Sequence, residues 1–487
     1  MDWAYGVRMQ EISSGDIIQR IRVENPWWDG DHTIAPAYRD MKLRAYFAVL
    51  FPLIKNLAVR RAVVLMGPRR VGKTVMIHQA IQALLTEGVA PKAVCYFSVD
   101  HPIYNGLSLD KLLEYYGQAT GVDHKAEQMY VFFDEIQYMR DWEQYLKALV
   151  DTYPNVRTLA SGSAAAALRL KSEESGAGRF TDFLLPPLTF YEYLDLLGKT
   201  GLFEWSTDEG AFTATDINEV NRQFIDYLNI GGYPEVVFSR EIQSDPGRFI
   251  RNDIIDKVLL RDLPSLYGIS DIQELNSLFT TLAFNTANEV SLEELSKNSG
   301  VAKNTIKRYI EYLEAAFLIR LVHRVDRNAK RFRRANFFKV YLANPSMRAA
   351  LFAPVNANDE RIGALVETAI FSQWFHGAPA VLYYARWSGG EVDIVSLASD
   401  TQKPSWAVEV KWSDRYCEKP EELKSVIAFC RSTGLRDVLV TSKTKASTWK
   451  TEAVTIEFVP ASSYCYTVGF NAIHNRSLSA SVREKNR

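Results

Sequence analysis

From residue 61 onward, short apolar runs alternate with amphipathic stretches of helical period. The runs are 61–67 (RAVVLMG), 93–100 (AVCYFSVD), 129–135 (MYVFFDE) and 156–163 (VRTLASGS). Parallel strands are buried on both faces and need helical crossovers, so this alternation predicts a parallel sheet flanked by helices over 61–200. Ahead of it, 1–60 is an aromatic lead in which 45–57 (AYFAVLFPLIKNL) predicts a helix and Trp27 and Trp28 read as packing anchors, with base stacking near a nucleotide as the alternative. Residues 201–284 read mainly as a helical lid or linker, broken by turn punctuation at Gly231-Gly232-Tyr233-Pro234.

A helix–turn–helix pattern follows. Ser291 and Glu294 have capping-box spacing, Ser299-Gly300 supplies a turn, and Ile306, Tyr309, Ile310, Leu313 and Phe317 share one helical face. Strand-like 318–325 and 337–344 supply a wing, so 285–350 predicts a winged helix. Residues 351–465 then run helix (362–375), three strands (381–387, 391–397, 406–412), helix (421–430) and strand (437–442). The polar, weakly patterned 466–487 predicts a flexible tail. The expected fold class is α/β throughout: a P-loop ATPase domain, a helical lid, a winged helix and a restriction-endonuclease-like α/β domain.

Composition narrows this only slightly. At roughly 150 residues per domain, 487 residues suggest about three domains, one fewer than the pattern gives. Apolar residues at 47% and charged residues at 24% exclude a disordered chain. Cys95, Cys417, Cys430 and Cys465 form no C-x-x-C pair, which excludes a thiolate zinc ribbon and a disulfide framework. With no signal-like start and no long apolar span, the expected location is cytoplasmic, with no membrane partner.

Candidate chemistry changes the picture more. Gly67-Pro68-Arg69-Arg70-Val71-Gly72-Lys73-Thr74 fits G-x-x-x-x-G-K-[ST] between a predicted strand and a predicted helix. Backbone N–H groups of such a loop, with the helix N-terminus, cradle phosphate. Lys73 is expected to reach the β- and γ-phosphates of ATP, and Thr74 to ligate Mg²⁺. Arg69 and Arg70 either help hold phosphate or pair with acids in the lid. The strand 129–135 ends in Asp134, expected at the Mg²⁺ water shell, and Glu135, expected to polarise the attacking water. An extra strand between the two motifs resembles the AAA class of P-loop ATPases. That resemblance implies a γ-phosphate sensor at Ser161 or Ser163, with a helix N-cap as the plain alternative at Ser163. Arg179 is either a transition-state arginine, in cis or across a subunit boundary, or an ordinary surface residue.

Two further constellations lie downstream. Residues 301–345 hold eleven Lys and Arg against three Asp and Glu, a local +8 in a chain whose total is −1. Lys303, Lys307 and Arg308 on the second helix, and Arg331, Arg333 and Arg334 at the wing, are candidate nucleic-acid contacts. An interdomain or protein-binding winged helix is the alternative. In the C-terminal half, Glu409-Val410-Lys411 places Glu409 and Lys411 on one strand face. Asp393 on the preceding strand, and Glu367 on the helix before, can join them. This resembles the PD-(D/E)xK nucleases, although Glu391-Val392 stands where the family has proline. The resemblance implies a second Mg²⁺ or Mn²⁺ at Glu367, Asp393 and Glu409, with Lys411 positioning a hydroxide. Cleavage and a non-cutting binding module both remain open.

The sequence blocks GPRRVGKT, FFDEIQ, LASGS, Gly178-Arg179, PPLTFYEY, GGYPE, LLRDLP, IGALVE and GGEVDIV follow in order. Together they resemble a large prokaryotic family of AAA-class ATPases whose C-terminal half is a domain of unknown function with a nuclease-like core. The family implies ATP binding and hydrolysis, and leaves open DNA, a partner protein or a homo-oligomer as what the chain engages. Two functions follow as expectations: an ATP-driven DNA-processing enzyme, or a nucleotide-controlled switch whose C-terminal half binds without chemistry.

Overall fold

The computed structural model describes residues 13–162, 178–206, 211–331, 336–374, 381–398 and 400–485. The chain divides into two compact units. The first comprises Met1–Leu43, Phe47–Met66 and Gly72–Leu185; the second comprises Arg44–Tyr46, Gly67–Val71 and Pro186–Arg487. Among the described residues no helix is long and apolar enough to cross a membrane.

The first unit is built on five strands: β1 (Ala62–Met66), β2 (Val94–Ser98), β3 (Met129–Asp134), β4 (Val156–Gly162) and β5 (Phe180–Leu184). They lie in the order β2-β3-β4-β1-β5, every pair parallel. Every residue of β1, β3 and β4 is buried, which explains their continuous apolar reading in sequence. Helices Lys73–Thr86, Leu109–Thr120 and Trp142–Thr152 supply crossovers. Ser108 caps the second of these and left-handed Gly121 ends it.

The aromatic lead belongs to this unit. Its helix Ser14–Glu24 starts with a Ser13/Asp16 capping box. Beyond it, the Asn25 amide pairs with β2 at the sheet edge, donating to the Tyr96 carbonyl (2.9 Å) and accepting the Tyr96 N–H (2.7 Å). Trp27 and Trp28 are buried and both donate their indole N–H to the Val94 carbonyl, at 3.0 and 2.8 Å. The edge of β2 is thereby covered, which removes a row of unpaired backbone groups.

The second unit opens with helix Phe190–Leu196, whose Thr189/Glu192 capping box sits in PPLTFYEY. A two-stranded ribbon follows, β6 (Phe203–Ser206) and β7 (Ala211–Ala214), where the sequence predicted mainly helix. Nine strands make the main sheet: β8 (Glu289–Ser291), β9 (Ile319–Val325), β10 (Phe337–Leu342), β11 (Leu382–Trp387), β12 (Gly390–Leu397), β13 (Pro404–Glu409), β14 (Asp437–Ser442), β15 (Ser447–Lys450) and β16 (Thr455–Pro460). Their order is β15-β16-β14-β13-β12-β11-β9-β10-β8. Helices Leu292–Ser299 and Lys303–Ala315 lie between β8 and β9, with Ser291 as cap and left-handed Gly300 in the turn.

The hairpin β9–β10 pairs through β9 with β11, in parallel, so 319–342 and 382–460 share one continuous sheet. One face of that sheet packs Ile394 and Val408 against helix Ile362–Trp374 and the C-terminal helix. The other packs Val392, Val395 and Ala407 against helix Lys424–Thr433.

The tail expectation is corrected. Residues Ala461–Lys485 form a helix, and Ala461, Cys465, Tyr466, Val468 and Ile473 are buried. Tyr466 stacks on Phe203 with ring centroids 3.8 Å apart, and Phe470 meets Phe212 and Tyr191 edge-on at 4.8 and 5.1 Å. Within 466–474 the buried positions include Gly469, which adds nothing to the apolar period in sequence.

Candidate nucleotide site and C-terminal carboxylate centre

Strand β1 ends at Met66, and helix Lys73–Thr86 begins six residues after Gly67. The intervening turn needs two left-handed residues, Arg70 (φ 64°) and Gly72 (φ 92°). Lys73, the first residue of that helix, is buried, 5% exposed. The Thr74 hydroxyl donates to Asp134 Oδ2 at 2.7 Å, and the Tyr96 hydroxyl reaches the same oxygen at 3.0 Å. Asp134 Oδ1 accepts from the Ser161 hydroxyl and, at 3.2 Å, from the Glu135 N–H.

The start of helix Lys73–Thr86 and the ends of β3 and β4 thus converge on one cluster of hydroxyl and carboxylate oxygens, the hard donors Mg²⁺ prefers. Thr74 and Asp134 fit that ion. Glu135 has φ 55°, which directs its side chain out of the strand line, and the Gln137 amide donates to its carboxylate.

Other predicted residues fall elsewhere. Arg179 precedes β5, and its carbonyl accepts from Ala62 N–H at the start of β1. That is the end of the sheet opposite the phosphate loop, and Arg179 pairs there with Asp151 (2.6 Å). The expected cis contact with phosphate is therefore not made within one chain, because β1 and β5 are parallel and the loop follows their far ends. Ser163, Arg333 and Arg334 lie outside the described residues.

Within the second unit, the loop arginines pair with acids. Arg69 binds Asp262 bidentately, at 2.6 and 2.8 Å, and Arg70 pairs with Glu235 at 2.9 Å. Arg44, which the sequence did not single out, forms a buried fork on Glu192 (3.0 and 2.6 Å) and donates to the carbonyls of Val71 and Pro186, both at 2.9 Å. It ties the phosphate-loop backbone to the PPLTFYEY turn. Gly232 of GGYPE is needed for close approach: a Cβ there would lie 2.6 Å from Asn344.

The basic stretch is partly neutralised. Lys303 pairs with Glu293 at 2.8 Å, and Arg324 lies 3.6 Å from Glu289. Lys307 and Arg308 are exposed, Lys307 with Glu311 at 3.9 Å. Arg331 lies over the Tyr383 ring, 4.9 Å from its centroid.

The structure brings Glu367, Asp393, Glu409 and Lys411 together. Lys411 Nζ is 2.6 Å from Glu409 Oε1 and 3.9 Å from Asp393 Oδ2. Asp393 Oδ2 also accepts the Val410 N–H (2.9 Å), and Glu409 Oε2 the Asp393 N–H (3.3 Å). Three unpredicted residues join them. Lys339 on β10 lies 2.5 Å from Glu391, 2.9 Å from Glu367 and 3.4 Å from Asp393. The Tyr341 hydroxyl donates to Glu367 at 2.6 Å.

Burial, with Asp393 nearby, pushes the Glu367 carboxyl up to about 7 and also raises Glu409. Burial alone would raise Asp393 as well, but Lys339 and Lys411 outweigh it and hold that carboxyl below its usual value. Among the described residues no group of three or more His, Cys, Asp or Glu side chains is disposed to hold a metal ion. The carboxylates expected as metal ligands turn instead to the two lysines.

Residues 59–194 match the AAA domain family, and residues 221–359 match a domain of unknown function (DUF8612). The chain is similar to the uncharacterized protein MJ1544 of Methanocaldococcus jannaschii, 23% identical over 74% of this chain and 77% of that protein. An uncharacterized protein of Haemophilus influenzae is 24% identical over 61% and 70%, respectively. Among solved structures, Cdc6p from Pyrobaculum aerophilum aligns with 67% of this chain and 96% of its own at 12% identity and a TM-score of 0.27. Hsp104 with ATPγS and FITC casein aligns with 57% and 51%, at 16% identity and a TM-score of 0.26. With its parallel five-stranded sheet and phosphate loop, the segment 59–194 is a P-loop domain of the AAA type.

Proposed function

We propose that the chain is a Mg²⁺-dependent ATPase whose C-terminal half is the output module. The observation that carries the reading is the convergence of Thr74, Asp134 and Ser161 beside the phosphate loop. Bound Mg²⁺, held through Thr74 and Asp134, would neutralise charge on the β- and γ-phosphates. Lys73 holds the phosphates from the helix start, where the helix dipole adds partial positive charge. Glu135 takes a proton from the attacking water, with Gln137 fixing its carboxylate. Ser161 couples the end of β4 to the same cluster. Arg179 pairs with Asp151 as an ordinary surface arginine does, and a part for it in turnover would need a subunit boundary.

The experiment is nucleotide binding followed by steady-state turnover. Lys73→Ala is expected to lose ATP binding. Glu135→Gln is expected to bind ATP and turn it over roughly 100-fold more slowly or worse, the range for removing a general base. An unaltered rate in either variant removes the assignment.

For the output half, residues 285–350 are read as a winged helix and 351–465 as a nuclease-like fold. A DNA-binding role draws support from the exposed Lys307 and Arg308. The reading in which this half binds without cutting is favoured by a specific observation: Lys339 sits among the acids a nuclease would use for metal.

A further inference from the structure

Lys339 belongs by sequence to the basic stretch 301–345, yet it is 2% exposed. Its ammonium touches carboxylates from a helix and a strand, Glu367 and the Glu391/Asp393 pair, at 2.5 to 3.4 Å. Tyr341, two residues along β10 and so on the same face, bonds the same Glu367 oxygen. The remaining oxygens of Asp393 and Glu409 are also engaged. Asp393 Oδ2 accepts the Val410 N–H, Glu409 Oε1 accepts Lys411, and Glu409 Oε2 accepts the Asp393 N–H.

Mg²⁺ or Mn²⁺ in this centre would need several of these oxygens at about 2.0–2.2 Å. It would then lie within a few ångströms of a buried ammonium, where repulsion between like charges is weakly screened. Removing an ammonium from such a centre leaves uncompensated carboxylates, which attract another cation. The nuclease-type metal therefore does not fit the donor set as it stands.

We infer that Lys339 stands in for the divalent cation in this centre: its ammonium supplies the counter-charge, and while it is seated there the centre takes up neither Mg²⁺ nor Mn²⁺. The inference rests on the non-cutting reading of the C-terminal half, and its test is metal binding rather than cleavage. It also gives β10 a task, because the residue that fills the centre comes from the hairpin and not from the strands that carry Asp393 and Glu409.

The probe is Mn²⁺ added to the nucleotide-free full chain, with bound ion counted by electron paramagnetic resonance. Wild type and Lys339→Arg are expected to hold no Mn²⁺ whose binding depends on Asp393. Lys339→Met is expected to gain one Mn²⁺ per chain over wild type, lost again when Asp393→Asn is added, and to gain more Tm with Mn²⁺ than wild type does. A folded Lys339→Met that gains no Mn²⁺ overturns the inference, as does wild-type Mn²⁺ that disappears in Asp393→Asn. If Lys339→Met fails to fold, wild type and Lys339→Arg decide: Asp393-dependent Mn²⁺ in either overturns it, and its absence from both supports it. Asp393-dependent Mn²⁺ bound by wild type without cleavage of DNA or RNA defeats this inference alone, whereas Mn²⁺-dependent cleavage that Asp393→Asn abolishes defeats the non-cutting reading with it.

Discussion

Two residues show what a single side chain does when the chain buries its charge. Arg44 is 6% exposed and Glu192 1%, and each is the other's counter-ion. Glu192 also caps its helix by accepting the Thr189 N–H at 3.4 Å. Arg44→Met would strand a buried carboxylate, an arrangement that costs about 3–5 kcal/mol in comparable pairs. Chemical denaturation should show that loss in the transition of the second unit. The double variant Arg44→Met/Glu192→Leu should recover part of it, since an apolar pair leaves no unpaired charge. If the single variant unfolds at the wild-type denaturant concentration, the fork has no structural weight. Lys339 obeys the same physics in a centre with four acids and two lysines.

Elements were legible where their own sequence carried the pattern. Strands β1, β3 and β4 read as apolar runs because both their faces are buried, and helix Lys303–Ala315 read as amphipathic because one face meets the core. The ribbon β6–β7 was missed because four-residue strands carry too little period. Helix Ala461–Lys485 was missed as well, yet its first half closes the core of the second unit. Each of its large buried side chains is worth about 1.5–3 kcal/mol, and the sum rivals the entire stability of a typical domain. A chain ending after Pro460 is therefore expected to expose Tyr191, Phe203 and Phe212, to bind a hydrophobic dye and to aggregate. A chain ending after His474 is expected to melt within a few degrees of full length. Equal melting of both truncations would refute the helix's role.

At the scale of the molecule, net charge and length were weak guides. A total of −1 averages over the basic stretch, and part of that stretch is spent internally on Glu289, Glu293 and the carboxylate centre. The expected boundary at residue 200 falls inside the second unit, which comprises Arg44–Tyr46, Gly67–Val71 and Pro186–Arg487. Sequence by itself determined the phosphate loop, the strand ends at Asp134 and Ser161, and the spacing of Asp393, Glu409 and Lys411. Each depends on neighbours within a few residues or on the fixed alternation of a strand. Only the tertiary structure decided that Arg44 holds the phosphate-loop backbone, that Arg179 lies at the far end of its sheet, and that Lys339 enters the carboxylate centre. Three strand steps separate β10 from β12, about 14 Å in a flat sheet, yet that ammonium lies 3.4 Å from Asp393. Side-chain partners from distant segments are set by packing, and no local pattern in the chain encodes them.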